Sequence, residues 1–440
     1  MKIALAHFRT GQTDGVSLEM DKWRLVLEKM GHQVVYISGT PEAEIQIEEL
    51  FYKNEKNLKF VDNAYRELKD YEQESELQAE IEEEAAKIAA ELEAEIKAAG
   101  IELLIPNNIF SLGWNLPAAI AFKEVIEKLE LKTFAHHHDF YWERELYSNP
   151  VCGFVEDLLA EYFPPRLKEI EHVVINKIAQ KELKKRKGLD STVVPNVFDF
   201  KQPLWKPDQY NQDLRSRLGI KEDDLVVLHA TRIAERKAIE VAIEFTARLK
   251  EQELEGKLYD GREFSEANKI VFLLPGLTEN NQEYVDYLKK QAEIHKVEII
   301  WAGDLFAHQR SESEGKKIYS LWDSYVISDL ITYTSIKEGW GNQLLEALFA
   351  KKPVVVFEYP VFESDIKELN LNLASLGSEY EQRKDGYIEI AAEKFKPALK
   401  EAQKYLKDQA YRRQAVEENF ETAAAELSYR RLEELLKKLV

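Results

Sequence analysis

The sequence predicts an α/β protein of two doubly wound, Rossmann-like domains facing each other across a cleft. Three observations carry that prediction. Strands and helices alternate along nearly all of the 440 residues, as they do when a parallel sheet carries helices on its faces. The alternation breaks once, at "NVFDFKQPLWKPDQYNQDLRSRLGI", which is rich in Asn, Asp and Pro and reads as an interdomain linker. The chain also exceeds the length of one ordinary core. The domains are drawn at 1–200 and 201–415, with a C-terminal helix at 416–440 that packs back toward the first.

In order, "KIALA" is a first strand. In "SLEMDKWRLVLEKMG" that follows, Leu18, Trp23, Val26, Leu27 and Met30 can share one helical face, and Gly31 stands where a helix stop is wanted. "QVVYIS" is the second strand. A long acidic helix is expected over about 67–99, with Leu77, Ile81, Ala85, Ile88, Leu92 and Ile96 on its buried stripe and Gly100 at its end. Such a helix reads as a cover for the sheet with a solvated acidic face, in preference to a docking surface. Strands follow at "IELLIP", "KTFAH", "HVVIN" and "STVVP". The second series runs "DLVVLHA", a helix from about Lys237, "KIVFLLPG", a helix ending near Ile294, "EIIWAGD" and "SDLITYTS".

A net charge of −20 repels phosphate polymers and anionic membranes, which argues against nucleic acid as a partner. No stretch approaches a membrane span. The single Cys152 allows no internal disulfide and no cysteine metal cluster, in keeping with a reducing cytoplasm.

Ligands bind outside the carboxyl ends of strands in open parallel sheets, and three constellations fall there. In "TRIAERK", Arg232 at a strand end and Lys237 at the start of the next helix can converge on a diphosphate, with Arg236 between them facing water. In "KEGWGNQLLEALFAKK", the turn at Gly339 and Gly341 brings backbone N–H groups and a helix dipole to a ligand. Carboxylates beside phosphate must address neutral hydroxyls, so Glu338 and Glu346 can grip two sugars flanking one pyrophosphate. For Glu346 the alternative is a buried acid satisfied by local bases. In "HHHDFYWERE", three consecutive histidines suggest a metal. Strand neighbours point to opposite faces, however, so one ion cannot take all three without a sharp kink, and no metal site is expected. His136 and His137 read as strand-end packing residues. Asp139, Trp142, Glu143, Asn107 and Asn108 are candidates for an acceptor pocket, the two asparagines having helix capping as their plainer role.

"EGWGNQLLEALFAKKPVVVF" resembles the Glu-Gly-Phe-Gly…Glu-Ala motif of the retaining glycosyltransferase family 4, and Arg232 and Lys237 match that family's donor-phosphate pair in spacing and order. "GHQVVYIS", "VVPNVFDF" and "NFETAAAELSYRRLEELL" resemble further landmarks, so the likeness spans nearly the whole chain. It implies the GT-B fold, with the acceptor in the N-terminal domain and the nucleotide sugar in the C-terminal one. It also implies that Glu338 binds the donor sugar's hydroxyls and Glu346 the ribose. Gly341, Asn342, Gln343 and Leu344 would form the turn reaching sugar and diphosphate. Gly15 resembles the glycine that approaches the phosphates and His138 the histidine that contacts the transferred sugar, while Trp301 to Asp304, Gly303 included, sit where the base is held. Trp340 departs from the family's Phe, Asn342-Gln343 replaces more apolar residues, and the glycine common after Asn196 is missing. These departures bear on sugar specificity more than on fold.

Within that family the sequence is most similar to the makers of mannosyl- and glucosylglycerate-type compatible solutes. The resemblance implies a hexosyltransferase using GDP-mannose and a small acceptor such as glucosylglycerate or phosphoglycerate, with Arg9 or Lys22 meeting the acceptor's negative charge. No cofactor is required by the motifs, although they leave room for a divalent cation, and a homo-oligomer is compatible with the sequence. The rival readings are a trehalose-type or other NDP-glucose-dependent transferase, a GT-B epimerase and a non-catalytic sugar-nucleotide sensor.

Overall fold

The computed structural model describes all residues except 12, 13, 280 and 314. The chain separates into two compact units, Met1–Val197 with Tyr429–Val440, and Phe198–Ser428. Each is an α/β domain on a parallel sheet, and among the described residues no helix is long and apolar enough to cross a membrane.

The first unit contains β1 (Lys2–Ala6), β2 (Gln33–Ser38), β3 (Ile45–Gln46), β4 (Leu103–Pro106), β5 (Thr133–His137), β6 (Ile170–Val174) and β7 (Ser191–Val193). They pair in parallel in the order β3-β2-β1-β4-β5-β6-β7. Helices α1 (Gly15–Lys29), α2 (Glu55–Tyr65), α3 (Glu74–Ala99) and α4 (Leu116–Leu129) lie among them in sequence. The acidic helix α3 begins at Glu74, later than the composition suggested. Glu76 Oε2 accepts the backbone N–H groups of Glu72 (2.9 Å) and Gln73 (3.4 Å), which fixes the helix start there. Its six predicted stripe residues are all buried, and α3 packs against α4. Some of its acids are paired, Glu84 with Lys56 at 2.6 Å and Glu93 with Lys97 and Lys128 at 2.7 and 2.8 Å.

The second unit contains β8 (Leu225–Leu228), the hairpin β9 (Gly256–Lys257) and β10 (Glu263–Phe264), β11 (Ile270–Leu274), β12 (Glu298–Trp301), the small sheet of β13 (Phe306–Ala307), β14 (Ser311–Ser313) and β15 (Lys316–Ser320), and then β16 (Leu330–Tyr333), β17 (Val354–Val356) and β18 (Ala374–Ser375). The main sheet runs β12-β11-β8-β16-β17-β18, all parallel, so its strands end along one edge.

Two expectations change. The Pro- and Asn-rich stretch after Asn196 is packed along the second unit. Phe198 and Trp205 lie 5.1 and 4.9 Å from the Phe349 ring, Trp205 stacks on Trp322 at 4.5 Å, and Phe200 meets Phe420 at 5.3 Å. The boundary between the units falls inside the stretch read as a linker, and its aromatic residues pack the part from Phe198 onto the second unit. Truncating Phe349 to Ala is expected to cost about 4 kcal/mol and to open residues 198–212 to limited proteolysis. The C-terminal stretch, read as one helix from 416, is instead Gln409–Glu426 followed by a separate helix, Tyr429–Leu439. Leu432 and Leu436 of the latter bury against Trp23, Val26 and Leu27 of α1.

Candidate active site

In the second unit the loops leaving β8, β11 and β16 are tied together by backbone. Ile233 N donates to Leu277 O at 2.9 Å and Glu279 N to Ile233 O at 3.2 Å, which joins the first two loops. Gly276 permits that approach, since a Cβ there would lie 1.8 Å from the Thr231 carbonyl oxygen. Ile336 N donates to Arg236 O at 3.0 Å, and the Thr334 hydroxyl donates to the carbonyls of Lys237 (3.1 Å) and Ala238 (2.9 Å), which joins the third.

On this base the side chains alternate in charge. The Lys237 side chain is only 4% exposed and its ammonium is bonded to Glu338. Arg236 lies 3.5 Å from Glu338 and 3.3 Å from Glu279, and Arg232 lies 2.7 Å from Glu279. Arg236, expected to face water, keeps 35% of its side chain exposed and is also shared between Glu279 and Glu338. Burial alone would push the Glu338 carboxyl up, but Lys237, Ser335 and Arg236 outweigh it and hold it below the usual range. Burial pulls the Lys237 ammonium down against the attraction of Glu338. With the carboxylate ionised, the ammonium keeps two of its three donors for other acceptors.

The following turn admits only glycine at Gly341. Its φ is +127°, and a Cβ would lie 2.2 Å from the hydroxyl oxygen of Tyr359, which itself donates to Trp340 O at 2.6 Å. The helix Asn342–Phe349 starts immediately after it, with Asn342 and Gln343 in its first turn and Leu344 buried. Gly341→Ala is expected to destabilise the protein by about 3 kcal/mol, with Gly341→Ala/Tyr359→Phe recovering part of the loss in urea melts. Glu346 is buried in this helix and accepts the Tyr325 hydroxyl at 2.8 Å. Trp301 ends the edge strand β12 and is 38% exposed. A Cβ on Gly303 would come within 3.1 Å of Gly276 O, which sets this loop against the one that carries Glu279.

In the first unit the polar residues after β1, β4 and β5 form one network. Asn107 Oδ1 faces His136 Nδ1 at 3.0 Å and His138 Nε2 at 3.2 Å, while its carbonyl meets His7 Nδ1 at 2.8 Å. Asn108 Oδ1 accepts His138 N at 2.8 Å, and its amide donates to Asp139 Oδ1 at 2.9 Å. Neither asparagine caps the next helix. Asn115 does so, accepting from Ala118 N at 2.9 Å. Asp139 is paired with Arg144 at 2.5 Å, and Trp142 stacks on Phe140 at 4.3 Å beside an apolar cluster. Lys22 is bonded to Glu19 and to Val197 O, whereas Arg9 meets Asp14 at 3.1 Å and the Tyr52 hydroxyl at 2.7 Å. Gly15 opens α1, and a Cβ added to it would meet nothing within 4 Å, so approach to it is unobstructed. Among the described residues no group of three or more His, Cys, Asp or Glu is arranged to hold a metal ion.

His137 Nε2 and His172 Nδ1 lie 3.0 Å apart beside this network, and burial holds all five histidines neutral: His7 is pushed down to about 4, His136 to about 3 and His172 to about 4, with His137 and His138 also well below the usual range. The unfolded chain then binds more protons than the folded one below pH 6.5. The stability contribution is complete above pH 6.5 and is lost as pH falls toward 4. Urea midpoints across pH 4–7 are expected to fall on the acid side, less steeply in His172→Gln.

Residues 211–413 match the family of glycosyl transferases group 1. Two proteins named mannosylglucosylglycerate synthase are similar over most of their length. The one from Petrotoga mobilis is 42% identical, over 88% of this chain and 89% of the relative, and that from Thermotoga maritima is 39% identical over 100% of both. This chain belongs to the group 1 glycosyl transferases. The transferase has the GT-B fold, and a glycosyltransferase from Rickettsia africae superposes with a TM-score of 0.61 at 15% identity, covering 100% of this chain and 97% of that one.

In the second unit of the transferase, Arg232, Lys237 and Glu338 share one chain of ion pairs, with Gly303 in the neighbouring loop. In the first, His138, Asn107, Asn108 and Asp139 share one network, while the Trp142 ring is engaged in packing. Reading the sequence missed Gly276, Glu279 and His7. A glycine directly after "IVFLLP" was a signal for the first. Nothing local marks Glu279, whose role depends on a bridge to residue 233.

Proposed function

We propose that the enzyme transfers a mannosyl group from GDP-mannose to glucosylglycerate with retention of anomeric configuration. The observation that carries this reading is the 39–42% identity to two mannosylglucosylglycerate synthases over most of each chain. The ion-pair chain ending at Lys237 supports it from the side of the chemistry.

In this reading Arg232, Lys237 and the amino end of Asn342–Phe349 take the diphosphate. Glu338 takes hydroxyls of the donor sugar, Glu346 the ribose, and Trp301 with Gly303 the base. Gly341 lets the backbone approach, as Gly15 does in the first unit. His138 contacts the transferred sugar, and Asn107, Asn108, Asp139 and Trp142 belong to the acceptor side. Arg9 or Lys22 meets the glycerate carboxylate, each beside an acid of its own, Asp14 and Glu19.

The acceptor hydroxyl oxygen bonds to the anomeric carbon on the face from which the phosphate leaves. The bond from that carbon to the phosphate oxygen breaks, and the hydroxyl proton passes to the departing phosphate. Lys237 and Arg232 stabilise the charge that grows there. A cytoplasmic setting accords with the single buried Cys152.

Purified enzyme incubated with GDP-mannose and glucosylglycerate, followed by proton NMR of the new linkage, tests this. An α-linked disaccharide is expected. A β linkage, or turnover with an NDP-glucose in place of GDP-mannose, would sink it, and donor binding without turnover on any acceptor would indicate a sensor.

A further inference from the structure

We infer that Glu279 is a positioning residue of the donor site, holding the guanidinium groups of Arg232 and Arg236 and competing with a nucleoside diphosphate for them, so that product binds more weakly and leaves faster. The inference rests on the reading of Arg232 and Lys237 as diphosphate ligands.

One carboxylate oxygen of Glu279 serves two cations, at 2.7 Å from Arg232 Nη1 and 3.3 Å from Arg236 Nη2. Its position is built into the backbone: Glu279 N donates to Ile233 O, Ile233 N to Leu277 O, and Gly276 lets the two loops meet. Arg236 goes on to Glu338, and Glu338 to Lys237, so the five side chains carry three positive and two negative charges in alternation.

Stability does not account for the arrangement. The Arg232 side chain is 65% exposed, and an ion pair that exposed contributes little to folding. A carboxylate beside a diphosphate-binding arginine also opposes the anion the arginine is there to meet. The opposition has a use at the end of the reaction. The released nucleoside diphosphate carries more negative charge than the sugar-linked donor, so an uncompensated cluster of three cations would hold product more tightly than substrate. Product release limits many enzymes. With Glu279 beside it, Arg232 has a second anion to return to when the product departs, and its exposed side chain is free to move between the two.

Calorimetric titration with GDP and with UDP, on the wild type, Glu279→Gln and Glu279→Asp, tests the inference. Glu279→Gln is expected to bind the preferred nucleotide about tenfold more tightly, with kcat and KM for the donor falling together. Glu279→Asp, which keeps the charge, should remain near the wild type. A merely structural role would leave nucleotide affinity unchanged or weaken it, and either result for a folded Glu279→Gln overturns the inference. If Glu279→Gln fails to fold, Glu279→Ser is titrated under the same criterion. Wild-type protein that binds neither GDP nor UDP would overturn the donor-site reading itself. Binding by the wild type without tightening in the variant would sink only the role of Glu279.

Discussion

Lys237→Met is expected to lower kcat/KM at least about a hundredfold and to cost about 3 kcal/mol of stability. The two losses have separate causes. The ammonium is buried against Glu338, so removing it leaves a carboxylate away from water with Arg236 at 3.5 Å as its remaining cation. Breaking a buried pair from one side costs more than the pair contributes, because the survivor keeps its desolvation penalty. Glu338→Gln on its own should likewise destabilise the fold, by stranding Lys237. The double variant Lys237→Met/Glu338→Gln removes both charges and should recover most of the stability while staying inactive. Urea melts and initial rates on the four proteins of the cycle separate the terms. Full activity in Lys237→Met would end the diphosphate role.

Gly276→Ala is expected to lose up to about a hundredfold in activity with a stability cost of about 2 kcal/mol. The added methyl would meet the Thr231 carbonyl oxygen at 1.8 Å. That atom is backbone, so relief requires the loops after β8 and β11 to separate, which breaks the Ile233–Leu277 and Glu279–Ile233 hydrogen bonds. Arg232 and Glu279 would then move apart. Unlike Glu279→Gln, this variant displaces the arginine along with its partner, so nucleotide affinity should weaken. The two variants bracket the site from opposite directions, and titration with GDP distinguishes them. Wild-type rates in Gly276→Ala would show that the loop junction does not set the geometry of catalysis.

Much of this was legible because it is local. The apolar strand runs, the buried stripe of α3 and the Gly341 turn each follow from spacing within a dozen residues or so. The residues read as ligands fell at strand ends for the same reason, since a strand-to-helix transition leaves polar residues there. Trp142 was harder to place, as the same aromatic residue suits a pocket or a packed cluster, and its stacking on Phe140 comes from the fold around it. The packing of the stretch after Asn196 was not legible because proline and asparagine describe backbone preference, whereas Phe198, Phe200 and Trp205, besides meeting one another, pack on rings more than a hundred positions away.

By itself the sequence determined the α/β class, the residues that could serve a nucleotide sugar and the family resemblance, all of which depend on residue type and short-range periodicity. Tertiary structure alone decided which charges meet. Glu279 reaches Arg232 through a bridge between two loops, and Arg236 is drawn between two acids distant from it in sequence. Coulomb energy depends on separation in space and on exclusion of water, and neither quantity is written in the order of residues along the chain.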